Sequence, residues 1–123
     1  MDLSPRRDTL EPLELARAIV DLIDAKMGTD ILMLDLADVT LIADYFVIAT
    51  TESDRQLKAI AEDVQVELKQ LGVSRGSVEG QATFGWVLLD YGSVVVHLFS
   101  AKQRAFYNLE ELWSRARTVL RMA

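Results

Sequence analysis

The chain has 123 residues, half of them hydrophobic and 26% charged, a composition typical of one globular domain with a buried core. Nineteen acidic residues outnumber thirteen basic ones, so the net charge of −6 disfavours binding to a nucleic-acid backbone and suits a basic protein partner. Because the chain contains no cysteine, disulfides, thiolate metal sites and cysteine nucleophiles are excluded.

The first residues do not have the pattern of a targeting signal. Arg6 and Arg7 are not followed by the apolar segment of a secretory signal. No run approaches the roughly twenty apolar residues that a membrane span needs. We therefore expect a cytoplasmic protein without membrane contact, with one domain over residues 1–123 and loose tails at 1–8 and 118–123.

The first half of the chain predicts a helix followed by two strands. The helix covers about residues 10–27, with Pro12 tolerated in its first turn and Gly28 ending it. Its apolar residues recur every three or four positions, at Leu13, Ala16, Val20, Ile23 and Met27. Aliphatic, β-branched and aromatic residues then predict strands over 31–36 and 44–50.

A second helix and a weak strand follow. Ser53 and Gln56 form a capping-box pattern at the start of a helix that ends at Gly72. Its apolar face consists of Leu57, Ile60, Ala61, Val64, Leu68 and Leu71. Residues 73–78 then predict the third strand.

Two apolar runs on either side of a Tyr-Gly-Ser break predict a β-hairpin over residues 86–99. With Tyr91 and Gly92 as the turn, Trp86 faces His97 across the two strands. The other facing pairs are Leu88 with Val95 and Asp90 with Ser93. One hairpin face then carries Trp86, Leu88, Asp90, Val95, His97 and Phe99. The other face is aliphatic and consists of Val87, Leu89, Val94, Val96 and Leu98.

A second capping-box pattern, Asn108 to Glu111, opens a final helix. Its inward residues are Leu109, Leu112, Trp113 and Ala116. A helix between the second and third strands implies a right-handed crossover, whereas the hairpins add antiparallel pairs. We therefore expect an α/β fold with one mixed five-stranded sheet and helices mainly on one face. The hairpin face with Trp86 is then the candidate for the open side.

His97 is the only histidine, and with Asp90 and Ser93 it suggests a hydrolase triad. Neighbours across a flat hairpin offer no nucleophile elbow and no oxyanion hole, so a hydrogen-bonded or interface histidine is the favoured interpretation. Asp35, Asp38 and Asp44 suggest a metal-dependent nucleotidyltransferase. Asp35 and Asp38 lie on opposite faces of an extended strand, and no Gly-Ser turn precedes them. No phosphate-binding glycine loop is present either.

Two further groups of residues have alternative interpretations. Trp113 has helical spacing with apolar neighbours, which is typical of a core residue, whereas Trp86 shares the polar-mixed hairpin face and is a candidate interface anchor. The basic residues Arg55, Lys58, Lys102 and Arg104 suggest a small basic patch, although such residues are more typical of solvated helix surface.

Several segments of the chain also resemble a known family. These segments are Asp-Tyr-Phe-Val-Ile-Ala at 44–49, Ser-Asp-Arg-Gln-Leu-Lys-Ala-Ile-Ala at 53–61, Glu-Gly at 79–80, Trp-Val-Leu-Leu-Asp-Tyr-Gly at 86–92, Val-Val-Val-His at 94–97 and Phe-Tyr-Asn-Leu-Glu-Glu-Leu-Trp at 106–113. In order and spacing they resemble the Iojap family, the ribosomal silencing factors, over about residues 10–113. The chain departs from the family pattern at 50–52 (Thr-Thr-Glu) and at Ser93.

The resemblance implies a nucleotidyltransferase-like fold without the catalytic motif, and a protein that is not an enzyme and uses no cofactor or metal. It implies binding to the fourteenth large-subunit ribosomal protein and steric blocking of small-subunit joining, which lowers translation when nutrients are short. Little direct nucleic-acid binding is expected. A homodimer of the free protein is kept as an alternative to a monomer. The partner-binding residues expected are Trp86, Leu88, Asp90 and Glu79, with His97, Tyr91 and Asp54 as secondary contacts. The alternative, a nucleotide-using transferase, needs the Gly-Ser turn and paired carboxylates that this chain lacks.

Overall fold

The computed structural model describes residues 10–73 and 77–123. Its helices are α1 (Pro12–Ala25), α2 (Asp54–Gln70), α3 (Ala101–Tyr107) and α4 (Leu109–Leu112), with one 3₁₀ turn at Ala82–Phe84. Its strands are β1 (Thr29–Asp35), β2 (Tyr45–Thr51), β3 (Ser77–Gln81), β4 (Trp86–Asp90), β5 (Val94–Ser100) and β6 (Arg117–Met122). The tail predicted at 1–8 and part of the strand predicted at 73–78 lie outside the described residues.

The capping signals place the two long helices as predicted. Pro12 occupies the first turn of α1, where its missing N–H has no partner to lose. At the start of α2, the Ser53 hydroxyl accepts the Gln56 N–H at 3.0 Å, and the Gln56 side chain accepts the Glu52 N–H at 2.7 Å. This pair satisfies the Gln56 N–H, which the first helical turn leaves free, and the Glu52 N–H just before the helix.

The described strands form one mixed sheet in the order β3-β4-β5-β2-β1-β6. Only the β2–β5 pair is parallel, because α2 and the β3–β4 hairpin separate these strands in the chain. The mixed sheet was predicted correctly, but it has six strands instead of five. The expectation of a loose tail at 118–123 is wrong, since β6 pairs with the free edge of β1. At one end of this pairing, Arg117 stands opposite Asp35 and forms an ion pair of 2.8 Å with it.

The two faces of the sheet carry separate apolar clusters. One is the main core, where α1 and α2 pack against inward residues such as Val47, Val96 and Leu98. The opposite face has a smaller cluster around Phe46, Ile48 and Phe99, and the C-terminal segment packs on it through Leu109, Trp113 and Ala116. The prediction that the helices lie mainly on one face is therefore correct for α1 and α2. It is wrong for the C-terminal helical segment, which packs on the opposite face.

The final helix differs most from the prediction. A helix was expected from Asn108 onward, but α3 begins earlier, where the Ser100 hydroxyl accepts the Gln103 N–H at 3.2 Å. Asn108 ends α3 in the left-handed conformation, with φ of 47°, so α4 forms only one further turn. The capping-box pattern at Asn108 therefore marks a break between two helices.

Candidate functional site: an apolar-aromatic surface

The β4–β5 hairpin turns one residue later than predicted. Tyr91 N–H donates to the Val94 carbonyl at 2.9 Å, so Gly92 and Ser93 form the turn. The observed pairs are Trp86 with Phe99, Leu88 with His97 and Asp90 with Val95. This register differs by two residues from the predicted one, and a shift of two leaves every side chain on its predicted face. The two hairpin faces are therefore as the sequence predicts.

A concave surface lies where β4 meets the edge strand β3. Its lining residues are Glu79, Gly80, Phe84, Trp86 and Leu88, which surround a cavity of about 240 Å³. We call these residues the Trp86 surface. Glu79 is directly opposite Leu88 in the β3–β4 pairing. Three of the residues predicted to bind a partner, Trp86, Leu88 and Glu79, are thus brought together in an apolar hollow with one carboxylate.

Trp86 is held on three sides and is only partly exposed. Its ring stacks on Phe99 with centroids 4.9 Å apart and contacts Tyr107 at 4.6 Å. Its indole N–H donates to Nδ1 of His97 at 3.2 Å. The surface therefore presents a fixed aromatic ring, and a partner would meet it without first ordering a mobile side chain.

His97 lies behind the Trp86 surface. Its side chain is only 5% exposed and meets Phe46 edge-on with ring centroids 4.8 Å apart. Burial lowers the pKa of His97 to about 4, so the imidazole is neutral at neutral pH. The predicted contact residue therefore has almost no surface of its own to offer a partner.

The other predicted residues lie away from this hollow. Asp90 shares the hairpin face with Trp86, but one of its carboxylate oxygens accepts the Gly92 N–H at 2.8 Å and fixes the turn. Tyr91 packs against the main core on the opposite face. Asp54 is exposed at the first residue of α2, the helix that covers that same core face. The structure does not bring Tyr91 or Asp54 together with Trp86.

Three aromatic residues that the sequence interpretation did not assign belong to this region. Phe84 lines the cavity, Tyr107 contacts Trp86, and Phe106 packs edge-on against Tyr107 at 5.0 Å. Phe84 and Phe106 are 51% and 75% exposed, which is unusual for phenylalanine. The sequence feature that could have identified them is the position of Phe84 two residues before Trp86, and of Phe106 and Tyr107 in the Phe-Tyr-Asn motif.

A close approach of two segments supports this aromatic group. The Gly85 carbonyl accepts the Ser100 N–H at 2.9 Å, and the Gln103 side chain donates to the Phe84 carbonyl at 3.0 Å. A Cβ at position 85 would lie 2.6 Å from the Ser100 hydroxyl, and the backbone φ there is +89°. Glycine is therefore required at position 85, immediately before β4.

Arg104 does not belong to a basic patch or to a solvated helix surface. Its side chain is buried, donates to the Thr50 hydroxyl at 2.8 Å and to the Asp30 carbonyl, and pairs with Glu110 at 3.0 Å. These contacts join α3 to β1 and β2. Both earlier interpretations of Arg104 are wrong, because its side chain is buried and donates to acceptors of three other residues.

Asp35, one of the carboxylates considered for metal chemistry, has structural contacts. Asp35 accepts the Ala37 N–H at 2.9 Å and pairs with Arg117, and these contacts hold its pKa below the usual value. Within residues 10–73 and 77–123, no three histidine, cysteine or acidic side chains form a group suited to a metal ion. None of the helices in these ranges combines the length and apolar character of a membrane span.

The fold matches solved structures closely. A crystal structure of a Chromobacterium violaceum protein superposes with a TM-score of 0.82 at 37% identity, covering 85% of this chain and 88% of that one. A Bacillus halodurans protein gives 0.77 at 35% identity, covering 88% and 98%. The chain therefore belongs to a class of small α/β proteins built on a single mixed sheet.

The particular family within that class follows from the sequence comparisons. The family model described as "Ribosomal silencing factor during starvation" matches residues 9–122, and the chain belongs to this family. The ribosomal silencing factor of Bacillus subtilis is 43% identical over 76% of this chain and 79% of its own length. The chloroplastic Iojap protein of maize is 35% identical over 89% of this chain and 47% of its own length.

These findings confirm the resemblance to the Iojap family. The family's description is that of regulators of translation and not of enzymes. The relation of the sheet to the nucleotidyltransferase fold stays a prediction.

Proposed function

We propose that this protein represses translation by binding the large ribosomal subunit through its fourteenth ribosomal protein and blocking the small subunit sterically. The observation that carries the proposal is the Trp86 surface, an exposed apolar-aromatic hollow on a protein of a ribosomal silencing factor family. Exposed contiguous apolar surface of this kind is typical of a site where another macromolecule binds.

The anchors of this interface are the apolar residues of the hollow. Trp86 and Leu88 stand on one face of β4, and Phe84 closes one side of the cavity. Aromatic side chains that are fixed before binding contribute most to interface affinity, because little conformational entropy is lost when the partner docks. Asp54 and Tyr91 lie on the other side of the sheet and are proposed as peripheral to this contact.

Charge supports a ribosomal protein as the partner. The chain carries a net charge of −6, and Glu79 stands at the edge of the apolar hollow. Ribosomal proteins are typically basic, so opposite charges accelerate the encounter and favour one orientation. The same acidic balance opposes direct contact with ribosomal RNA.

Steric exclusion follows from the size of the domain. A folded chain of this length has a radius of gyration of about 14 Å. A body of that size on the joining face of the large subunit keeps the two subunits apart without any chemical step. The proposed function also locates the protein with the ribosomes, in the cytoplasm.

The proposal is tested by sedimentation with purified ribosomal subunits. The protein is incubated with large subunits, small subunits or assembled ribosomes, and the pellets are assayed for it. We expect co-sedimentation with large subunits only, and fewer assembled ribosomes when the protein is added before small subunits. Equal binding to small subunits, or unimpaired joining at saturation, would contradict the proposal.

We also propose that the free protein forms a homodimer through the sheet edge beside the Trp86 surface. The described residues of β3 are all exposed at the sheet edge, beside the apolar hollow. Such an edge pairs readily with a second copy when no ribosome covers it. Analytical ultracentrifugation of the free protein measures this, and a monomer at all concentrations would exclude the dimer.

A further inference from the structure

The hydrogen bond between Trp86 and His97 connects the Trp86 surface to the layer beneath it. In the β4–β5 pairing, Trp86 stands opposite Phe99 and His97 stands opposite Leu88. Trp86 and His97 are therefore diagonal neighbours on one face, a spacing that large side chains bridge. The indole N–H donates to Nδ1 of His97 at 3.2 Å.

This contact determines where the imidazole carries its proton. Nδ1 accepts a hydrogen bond, so it has no proton, and the single proton of the neutral ring is on Nε2. Nε2 is buried and has no hydrogen-bond partner among the described residues. The fold thus leaves one imidazole nitrogen unsatisfied while the other accepts the indole N–H.

The surroundings of His97 do not otherwise require a histidine. Its ring lies against Phe46 and is nearly parallel to Phe99, with an interplanar angle of 8°. An aromatic hydrocarbon ring would suit this apolar environment better than a half-satisfied imidazole. The property that distinguishes histidine here is the acceptor at Nδ1.

We propose that His97 is a positioning residue for Trp86, which accepts the indole N–H from the buried side and fixes the orientation of the ring on the Trp86 surface. The inference rests on the proposed function and deepens it. Because the N–H points inward, the partner meets carbon atoms of Trp86, Phe84 and Leu88. The group that enters the cavity is therefore apolar, and His97 strengthens binding without touching the partner.

Two substitutions of His97 separate the acceptor from the packing. His97→Phe keeps an aromatic ring against Phe46 but removes the acceptor. His97→Asn places an amide oxygen near the position of Nδ1 and restores an acceptor. Trp86→Phe removes the donor, so a double variant Trp86→Phe with His97→Phe tests whether the two residues act together.

Binding to large ribosomal subunits and the indole N–H resonance of Trp86 are measured for each variant. We expect His97→Phe to weaken binding by about five- to tenfold, the effect of one net hydrogen bond. Its Trp86 indole proton should move upfield and exchange faster with solvent. His97→Asn should bind within about twofold of the wild type. In the Trp86→Phe background, His97→Phe should change affinity less than about twofold.

Val96→Ala provides the matched control for stability, since Val96 is the adjacent β5 residue and is buried on the helix face. This variant should melt earlier but bind normally while folded. Wild-type affinity of folded His97→Phe, with the indole resonance shifted, would overturn the inference and leave the proposed function standing. An equal loss in His97→Phe and His97→Asn would also overturn it. Failure of the wild type to bind large subunits would instead refute the proposed function, and with it the binding role of His97.

Discussion

The ring of Trp86 lies 4.6 Å from the ring of Tyr107, so the first residue of β4 and the last residue of α3 meet on the face opposite the main core. Phe99 stacks on the same indole at 4.9 Å. Trp86 thus has two roles in the structure: it lines the apolar hollow, and it joins α3 to the sheet.

Trp86→Ala is expected to lower both affinity and stability. Truncation of a central aromatic anchor costs ~2 kcal/mol or more, which is at least tenfold in the dissociation constant for large subunits. The melting temperature should also fall, because the variant loses contacts with Phe99 and Tyr107. Sedimentation is therefore performed at a temperature where circular dichroism shows the variant fully folded.

Leu41→Ala is the matched control for that variant. Leu41 is a fully exposed apolar residue between β1 and β2, outside the Trp86 surface. It should bind and melt like the wild type. If folded Trp86→Ala also bound with wild-type affinity, the Trp86 surface would not be the ribosome contact.

The faces of the hairpin could be predicted from sequence because strand alternation has a period of two. The predicted turn at Tyr91 was displaced by one residue, since Gly92 takes the first turn position with φ of +80°. That displacement shifts the pairing by two residues and leaves Trp86 and His97 on the same face. The apolar pattern thus determines which residues share a surface even when the turn is misplaced.

The elements that sequence interpretation missed depend on distant partners. Strand β6 pairs along the edge of β1, where Arg117 also contacts Asp35, 82 positions away. Likewise, α3 is held by Arg104, whose partners Asp30 and Thr50 are distant in the chain. Local propensity and periodicity contain no information on such contacts, so the element bounds in the C-terminal fifth of the chain were predicted incorrectly. The inward positions of Leu109, Trp113 and Ala116 were predicted correctly, whereas Leu112 is exposed.

Glu79→Lys is expected to weaken binding less than Trp86→Ala and in a salt-dependent way. Glu79 lines the hollow and is an exposed residue of the edge strand β3. Rim charges mainly affect the association rate, and salt screens them over about 10 Å at 0.1 M. We expect slower association with large subunits at low salt and a difference from wild type that shrinks as salt is raised.

Glu62→Lys makes the same change of charge on α2, where Glu62 is exposed on the helix that covers the main core. It should leave association nearly unchanged. An equal slowing by both substitutions would show that net charge alone matters and that Glu79 has no specific role.

His97 should make stability fall as the solution is acidified. Its pKa is about 4 in the folded protein, against 6.5 for an unperturbed histidine, because burial disfavours the charged ring. The unfolded chain therefore binds the proton more tightly, and stability is complete above pH 6.5 and is lost as pH falls toward 4. Between pH 7 and pH 5 this group should lower the free energy of unfolding by about 2 kcal/mol.

Urea unfolding of wild type and His97→Asn at the two pH values isolates this contribution. The carboxylates, including Asp35 with its lowered pKa, titrate alike in both proteins and cancel in the comparison. The wild type should lose about 2 kcal/mol more than the variant on acidification. Equal losses of stability in the two proteins would mean that the pKa of His97 is not lowered in the folded state.

Arg104→Met should destabilise the protein and disturb the Trp86 surface. Arg104 is 6% exposed, and its donors reach the Thr50 hydroxyl, the Asp30 carbonyl and the Glu110 carboxylate. Their loss should cost about 2 kcal/mol in urea unfolding, because the backbone carbonyl and the hydroxyl stay partly buried without this donor.

Arg121→Met tests whether the burial of Arg104 accounts for the loss of stability expected in Arg104→Met. Arg121 pairs with the same Asp30 at 3.0 Å, but its side chain is 53% exposed, so its removal should cost less than about 0.5 kcal/mol. Arg104→Met should also shift the indole N–H resonance of Trp86, since Arg104 anchors the helix that ends at Tyr107. Arg121→Met should leave that resonance in place. Similar effects of the two substitutions on stability and on the resonance would show that α3 is held by its apolar contacts and not by Arg104.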